Sequence, residues 1–197
     1  MKFKTMALAS SAALATALIL AGCSSTPTGG HSGMDMGMGG SSATSTATSE
    51  HNDADVSFTQ NMVMHHQQAI EMSDMVLTKT GVNAQVTELA QKIKAAQQPE
   101  IDTMNGWLKT WNVSMGMSHD MGDMMSESDM RALKDASGAD ASKLFLTQMI
   151  QHHQGAIEMA NEEIKTGKNT DAVALAKKIV TDQTAEIATM KSLLSSL

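Results

Sequence analysis

The chain has 197 residues, enough for one domain with accessory segments, and a formal net charge of −7. This acidic balance, with Lys residues scattered among Gln, Glu and Asp, argues against a nucleic-acid partner. Aromatic residues make up 3% of the chain whereas Met reaches 19 residues, and because Met specifies packing poorly, this excess indicates a role beyond filling a core.

The N-terminal segment has the pattern of an export signal. Lys2 and Lys4 precede a short apolar run at 6–20, and Cys23 follows as the only cysteine. A run this short, with these flanks, predicts a signal peptide over 1–22 rather than a membrane-spanning helix. Residues 20–23, Leu-Ala-Gly-Cys, resemble the bacterial lipobox, which implies acylation of Cys23 and anchoring to a membrane of the cell envelope, on its periplasmic or extracellular face. A plain secretory signal with an incidental cysteine is the alternative.

The next segment, 23–52, is rich in Ser, Thr and Gly and also contains His31, Met34, Met36 and Met38. It offers almost nothing to bury, so we expect a disordered tether between the lipid and the folded domain.

The remainder of the chain, 53–197, contains an internal duplication. Residues 58–72 return at 145–159, residues 89–93 return at 175–179, and the Glu-Ile-x-x-Met pattern at 100–104 returns at 186–190. We therefore divide it into a first repeat at about 53–111, a Met-rich connector at 112–138 and a second repeat at about 139–197.

Helical periodicity without strand alternation predicts four long helices, at about 55–80, 83–111, 140–166 and 169–195. Asp53 or Asp55 is the expected cap of the first helix, Gly81 its terminator, and Pro99 is expected to bend the second. A capping-box pattern at Ser126 predicts a short additional helix in the connector. Four helices with short turns inside each repeat pack most simply as an antiparallel bundle of duplicated hairpins.

Sorting the helical positions by face places the paired histidines beside the apolar face of each first helix, with Met62 and Met149 on that face and Met72 at its edge. Glu100 and Glu186 lie on the apolar faces of the second helices. An inward Glu is costly unless it is paired or bound to a cation, and no Lys or Arg shares those faces. The expected partners are therefore the histidines, directly or through a metal. The candidate ligands in the bundle are Met62, His65, His66, Met72, Glu100, Met104, Met149, His152, His153, Met159, Glu186 and Met190.

Two alternatives stay open for these residues. The histidines and glutamates would equally form a hydrogen-bonded core that holds the bundle in register, and the inward methionines would equally be packing residues. The repeated Glu71 and Glu158 fall on the opposite, solvated side of their helices.

The connector carries a second group of candidate ligands, in a stretch of Gly, Ser and Asp that offers methionine no core to fill. These are Met115, Met117, His119, Met121, Met124 and Met125. Thioethers favour Cu(I) and imidazole accepts both copper states, so we expect an exposed copper-capture loop. A sacrificial oxidant trap and a low-complexity linker are the alternatives.

Both repeats resemble the bacterial family called domain of unknown function 305, through the pattern Phe-x-x-x-Met-x-x-His-His-x-x-Ala-Ile-x-Met at 58–72 and 145–159. The resemblance covers the chain from about residue 53 to its end. It implies a ferritin-like four-helix bundle, an exported location and, for some members, periplasmic copper binding and copper resistance. The chain lacks the Glu-x-x-His pattern of di-iron bundles, which argues against ferroxidase chemistry.

From these observations we expect an exported lipoprotein that binds copper as Cu(I) or Cu(II) for sequestration, transfer or tolerance, without catalysing a reaction. Its partners would be copper ions, the membrane and a copper-handling protein. The alternatives are a ferritin-like metalloenzyme that oxidises Cu(I) or a small substrate at a His/Glu centre, and a purely structural envelope protein. An enzyme needs an open coordination position and turnover, whereas a copper carrier needs only exchange.

Overall fold

The computed structural model describes residues 50–116 and 124–197. The predicted signal peptide, Cys23, nearly all of the tether, and Met117, His119 and Met121 lie outside the described residues. The described part is helical and contains no strand. Its elements are α1 (Asp53–Leu77), α2 (Ala84–Thr110), α3 (Glu127–Asp135), α4 (Gly138–Thr166) and α5 (Thr170–Ser196). None of the helices in these ranges is long and apolar enough to cross a membrane.

Asparagine caps begin three of the long helices. Asn52 begins α1, where its side chain accepts a hydrogen bond from the Asp55 amide and the Asp55 carboxylate accepts one from the Asn52 amide. The predicted cap was therefore wrong, because Asp55 is the third residue of the capping box. Asn83 begins α2 and Asn169 begins α5. Helix α1 ends before Gly81, which has a φ of +75° in the turn to α2, and α2 continues across Pro99.

The five helices form two antiparallel hairpins, α1–α2 and α4–α5, which pack against each other mainly through α1 and α4. The second half of α1 packs against the first half of α4, so these two central helices are also antiparallel. Helices α2 and α5 contact each other only slightly. The two helices that carry the paired histidines are thus the ones in the middle of the molecule.

The connector helix α3 belongs to the packed structure. Ser126 and Asp129 form the predicted capping box, and Leu133 is fully buried. Met125 and Met130 are partly buried against the core. The expectation that the connector methionines lie outside the core is therefore wrong for Met125, because α3 covers a face that the four long helices leave open. Met115, with 46% of its surface exposed, matches the expectation.

Candidate metal centre

A polar layer crosses the middle of the bundle between two apolar clusters. One cluster contains Met72 and Met149, and the other contains Met62 and Met104. The four predicted histidines lie between the clusters along α1 and α4, each at most 1% exposed: His65, His66, His152 and His153. Four imidazoles without contact to solvent are costly unless their nitrogens are bonded. The arrangement of those nitrogens therefore defines the site.

Each repeat contributes one histidine–glutamate pair to this layer. Nε2 of His66 lies 2.9 Å from Oε2 of Glu100, and Nε2 of His153 lies 2.7 Å from Oε2 of Glu186. In the described part of the chain, no hydrogen-bond partner lies within reach of Nδ1 of His66 or of His153. When one nitrogen of a neutral histidine donates its N–H to a carboxylate, the other nitrogen is unprotonated and its lone pair is available. Proteins commonly orient metal-binding imidazoles in this way.

The other two histidines meet across the interface of the hairpins. The ring centroids of His65 and His152 are 3.6 Å apart, with the ring planes 33° from parallel. Burial, together with the neighbouring histidines, holds the pKa of His152 well below its ordinary value of 6.5. Burial also lowers the pKa of His66, although its hydrogen bond to Glu100 acts in the opposite direction. Both rings are therefore neutral at pH 7, which is the state that binds metals.

A lysine reaches one of the two glutamates, contrary to the expectation that neither had a basic partner. Nζ of Lys178 lies 2.9 Å from Oε1 of Glu100. Burial raises the pKa of Glu100, but the bonds from His66 and Lys178 outweigh it and the net pKa is lowered. Glu186 is the more exposed carboxylate, at 23% against 11% for the Glu100 side chain. The two carboxylates of the layer thus differ in exposure, and a lysine bonds to Glu100.

Two further buried polar side chains, both glutamines, lie on α2 and α5 and were not among the predicted site residues. Gln97 is 3% exposed and Gln183 is 4% exposed. The Oε1 atom of each has no hydrogen-bond partner in the residues that the structure describes. Each lies three positions before the inward Glu of its helix, at corresponding points of the two repeats. That repeated position on an apolar face was the signal that could have identified them.

The predicted methionine ligands divide between the two apolar clusters. Met62 and Met104 lie in the cluster at one side of the histidine layer, and Met72, Met149 and Met190 lie in the cluster at the other side, all fully buried. Met159 is partly buried. Among the described residues, no three His, Cys, Asp or Glu side chains are already arranged around one point that could hold a metal. The fold brings the histidines and glutamates together, and a methionine sulfur or a ring movement would have to complete a coordination sphere.

The donor types of this layer fit copper. Imidazole nitrogen and thioether sulfur suit Cu(I), and imidazole also suits Cu(II), whereas Ca²⁺ and Mg²⁺ require oxygen ligands. The Nδ1 atoms of His66 and His153, which have no hydrogen-bond partner among the described residues, are two buried donors available to such a metal. The site is thus a buried histidine–glutamate layer flanked by methionines, in a bundle of two helical hairpins.

Comparison with known protein families identifies the family of this chain. The profile of domain of unknown function 305 (DUF305) matches residues 55–194. The chain belongs to the DUF305 family. Among curated proteins, no significant match is found.

Solved structures of several relatives share the fold. A DUF305 protein from Streptomyces coelicolor, named as a secreted protein, is 31% identical with a TM-score of 0.69, over 73% of this chain and 93% of that one. A DUF305 fragment from Deinococcus radiodurans is 30% identical with a TM-score of 0.69, over 74% and 98%. CopM in its Cu(I)-bound form is 31% identical with a TM-score of 0.63, over 72% and 96%. CopM has also been solved with Cu(II) and with Ag.

Proposed function

We propose that this protein is a copper-binding lipoprotein of the cell envelope that sequesters copper or passes it to a partner protein. The observation that carries the proposal is the buried four-histidine layer. In it, Nε2 of His66 and His153 is fixed by a carboxylate and Nδ1 has no bonding partner among the described residues. A layer that served only to hold the bundle in register would be expected to satisfy both nitrogens of each buried ring.

The ligands we propose are the four histidines, completed by sulfur from the adjoining buried methionines, with Glu100 and Glu186 orienting the rings. The copper-bound and silver-bound forms of CopM support this choice of metal. We assign binding and exchange rather than catalysis, because the chain has no Glu-x-x-His pattern of a di-iron oxidase. The membrane anchor rests on Cys23 and the export signal that precedes it.

The test replaces His65, His66, His152 and His153 together by Gln, which has a similar size and retains hydrogen-bonding groups. Copper raises the melting temperature only by binding the folded state more tightly than the unfolded state. We therefore expect the copper-induced rise, measured by calorimetry, to disappear in this variant for Cu(II) and to become smaller for Cu(I) under reducing anaerobic conditions. The apo protein should lose only about 1–2 kcal/mol of stability.

The matched control replaces Glu71 and Glu158 by Gln. These carboxylates belong to the same repeated motif but are exposed to solvent, so the control should keep the full copper response. A histidine variant that is badly destabilised as the apo protein yet still gains the wild-type copper stabilisation would show that the layer is structural, and would overturn the proposal.

A further inference from the structure

A second group of methionines surrounds a cavity away from the histidine layer. The cavity has a volume of about 620 Å³ and opens between α1 and the connector helix α3. Met75 of α1, Met125 before α3 and Met130 on α3 all line it. All three side chains are partly buried against the core cluster that contains Leu133. The three methionines therefore line one space that solvent also reaches.

Hydrogen bonds fix the connector in this position. The Gln68 side chain donates to the Met125 carbonyl at 2.9 Å and accepts from the Met125 amide at 2.8 Å. The Gln148 side chain donates to the Asp129 carbonyl at 2.9 Å. Since the backbone is held at Met125 and at Asp129, the residue before Met130, both methionines line the cavity beside α1 without a bound ligand.

The sequence repeat does not account for these methionines. The residue of the second repeat that corresponds to Met75 is Glu162, and Met125 and Met130 lie in the connector, which has no counterpart. If the three side chains served only to seal the edge of the core, leucine or valine would serve as well. Their common property is a soft, polarisable sulfur.

The charges around the cavity disfavour divalent cations. Its lining contains three basic and two acidic side chains: Lys79, Arg131, Lys134, Glu71 and Glu127. Arg131 pairs with Glu127 at 3.3 Å, and the Lys79 ammonium donates to the Lys134 carbonyl at 2.6 Å. A site with excess positive charge and few free carboxylates disfavours Ca²⁺, Mg²⁺ and Zn²⁺. A monovalent cation bound through sulfur experiences less repulsion and gains its affinity from the thioethers.

We propose that Met75, Met125 and Met130 form a second metal site in the cavity between α1 and α3, specific for a soft monovalent cation such as Cu(I). It is separate from the histidine layer and does not depend on the function proposed for that layer. Thioethers bind Cu(II) weakly, so the two sites are expected to differ in oxidation state: the cavity binds Cu(I), and the histidine layer also accepts Cu(II).

The experiment titrates the full chain, labelled with ¹³C at the methionine methyl groups, with silver nitrate as a redox-stable stand-in for Cu(I). We expect the methyl resonances of Met75, Met125 and Met130 to shift together in wild type. The variant Met75→Leu/Met130→Leu should lose one bound Ag(I) per chain. Leu and Met have similar volumes, so the bundle should remain folded. Cu(II) binding should remain unchanged, which separates this result from a failure of the histidine site.

Met64→Leu is the matched control, because Met64 is also partly buried on α1 but does not line the cavity. It should retain the wild-type Ag(I) stoichiometry. If the double variant unfolds, the joint methyl shifts in wild type and the single variant Met75→Leu provide the same test. Full Ag(I) stoichiometry in the double variant, or wild-type resonances of the three methyl groups that do not move with Ag(I), would show that these methionines only pack.

Discussion

Lys178 shows, at the residue scale, that sorting helical positions by face does not predict all contacts of a long side chain. Its Cα lies on the solvated flank of α5 and its side chain is 56% exposed, yet its ammonium reaches both Glu100 and Asp182. Lys and Arg extend along a surface in this way, with an apolar stem and a charged end that finds a partner. Sorting positions by face predicted the inward Glu100 correctly and missed its lysine, because the method locates Cα positions and not the reach of side chains.

The corresponding lysine of the first repeat provides a matched pair of substitutions. Lys92 bonds to Glu88 at 2.7 Å, and both of these side chains are more than 60% exposed. We expect Lys178→Met to lower the free energy of unfolding by about 1–2 kcal/mol, because Glu100 is mostly buried and loses a charged partner. Lys92→Met should cost less than about 0.5 kcal/mol, as is usual for an exposed pair. Urea unfolding of both variants in a chelating buffer makes the comparison. Equal losses of unfolding free energy in the two variants would show that Lys178 stabilises the fold no more than the exposed Lys92 does.

At the scale of elements, the long helices were predictable and the position of the connector was not. The four long helices and the capping box at Ser126 follow from local patterns, namely apolar periodicity and side-chain-to-backbone capping. The docking of α3 depends instead on which face the packed hairpins leave open. A stretch of Met, Gly, Ser and Asp carries no periodic signal for that face. Even so, Leu133 is fully buried and Met125 is held by Gln68.

The contribution of α3 to stability is therefore open to a direct test. Leu133→Ala removes a fully buried side chain and leaves a cavity under α3, so we expect a loss of about 2–4 kcal/mol. Met115→Ala, at an exposed connector position, should change stability by less than about 0.5 kcal/mol. Thermal unfolding monitored by circular dichroism measures both. A negligible effect of Leu133→Ala would mean that α3 is not part of the cooperative unit.

At the scale of the whole molecule, the bundle departs from twofold symmetry at one end. Asp55, fully buried, accepts hydrogen bonds from the backbone amides of Asn52 and Asn169, and so joins the start of α1 to the turn between α4 and α5. At the corresponding place in the second repeat, Ser142 accepts the amide of Asn83 at 3.0 Å. One link between the hairpins is thus a carboxylate and the other is a neutral hydroxyl.

A second buried carboxyl makes the carboxylate link sensitive to pH. Glu163 is 2% exposed beside Asp55. Burial, together with the hydrogen bond and the charge of Asp55, raises the pKa of Glu163 to about 8. No local pattern predicts this pair, because the two residues lie more than a hundred positions apart and only the packing of α1 against α4 brings them together.

The resulting pH dependence has a definite sign. The folded pKa of Glu163, about 8, lies above its ordinary value of 4.5. The stability contributed by this group is therefore fully present below pH 4.5, and it decreases as the pH rises until it is lost once the pH passes about 8. We expect the loss to be on the order of 2–3 kcal/mol, since water entering the opened end limits the repulsion between the two carboxylates. The Lys168 side chain is half exposed and its ammonium lies 3.1 Å from Glu50, while its backbone amide donates to Asp55.

Glu163→Gln isolates this contribution, because the Gln amide donates a hydrogen bond to Asp55 at every pH and carries no proton to lose. Melting temperatures of the apo protein, measured from pH 5 to pH 9 in a chelating buffer, should fall with pH in wild type and stay nearly level in the variant. The variant should therefore be the more stable protein at pH 9. The exposed neighbour Glu162, changed to Gln, makes the same change in charge and should retain the wild-type slope. Parallel curves for Glu163→Gln and wild type would locate the pH dependence elsewhere and leave Asp55 as an ordinary capping carboxylate.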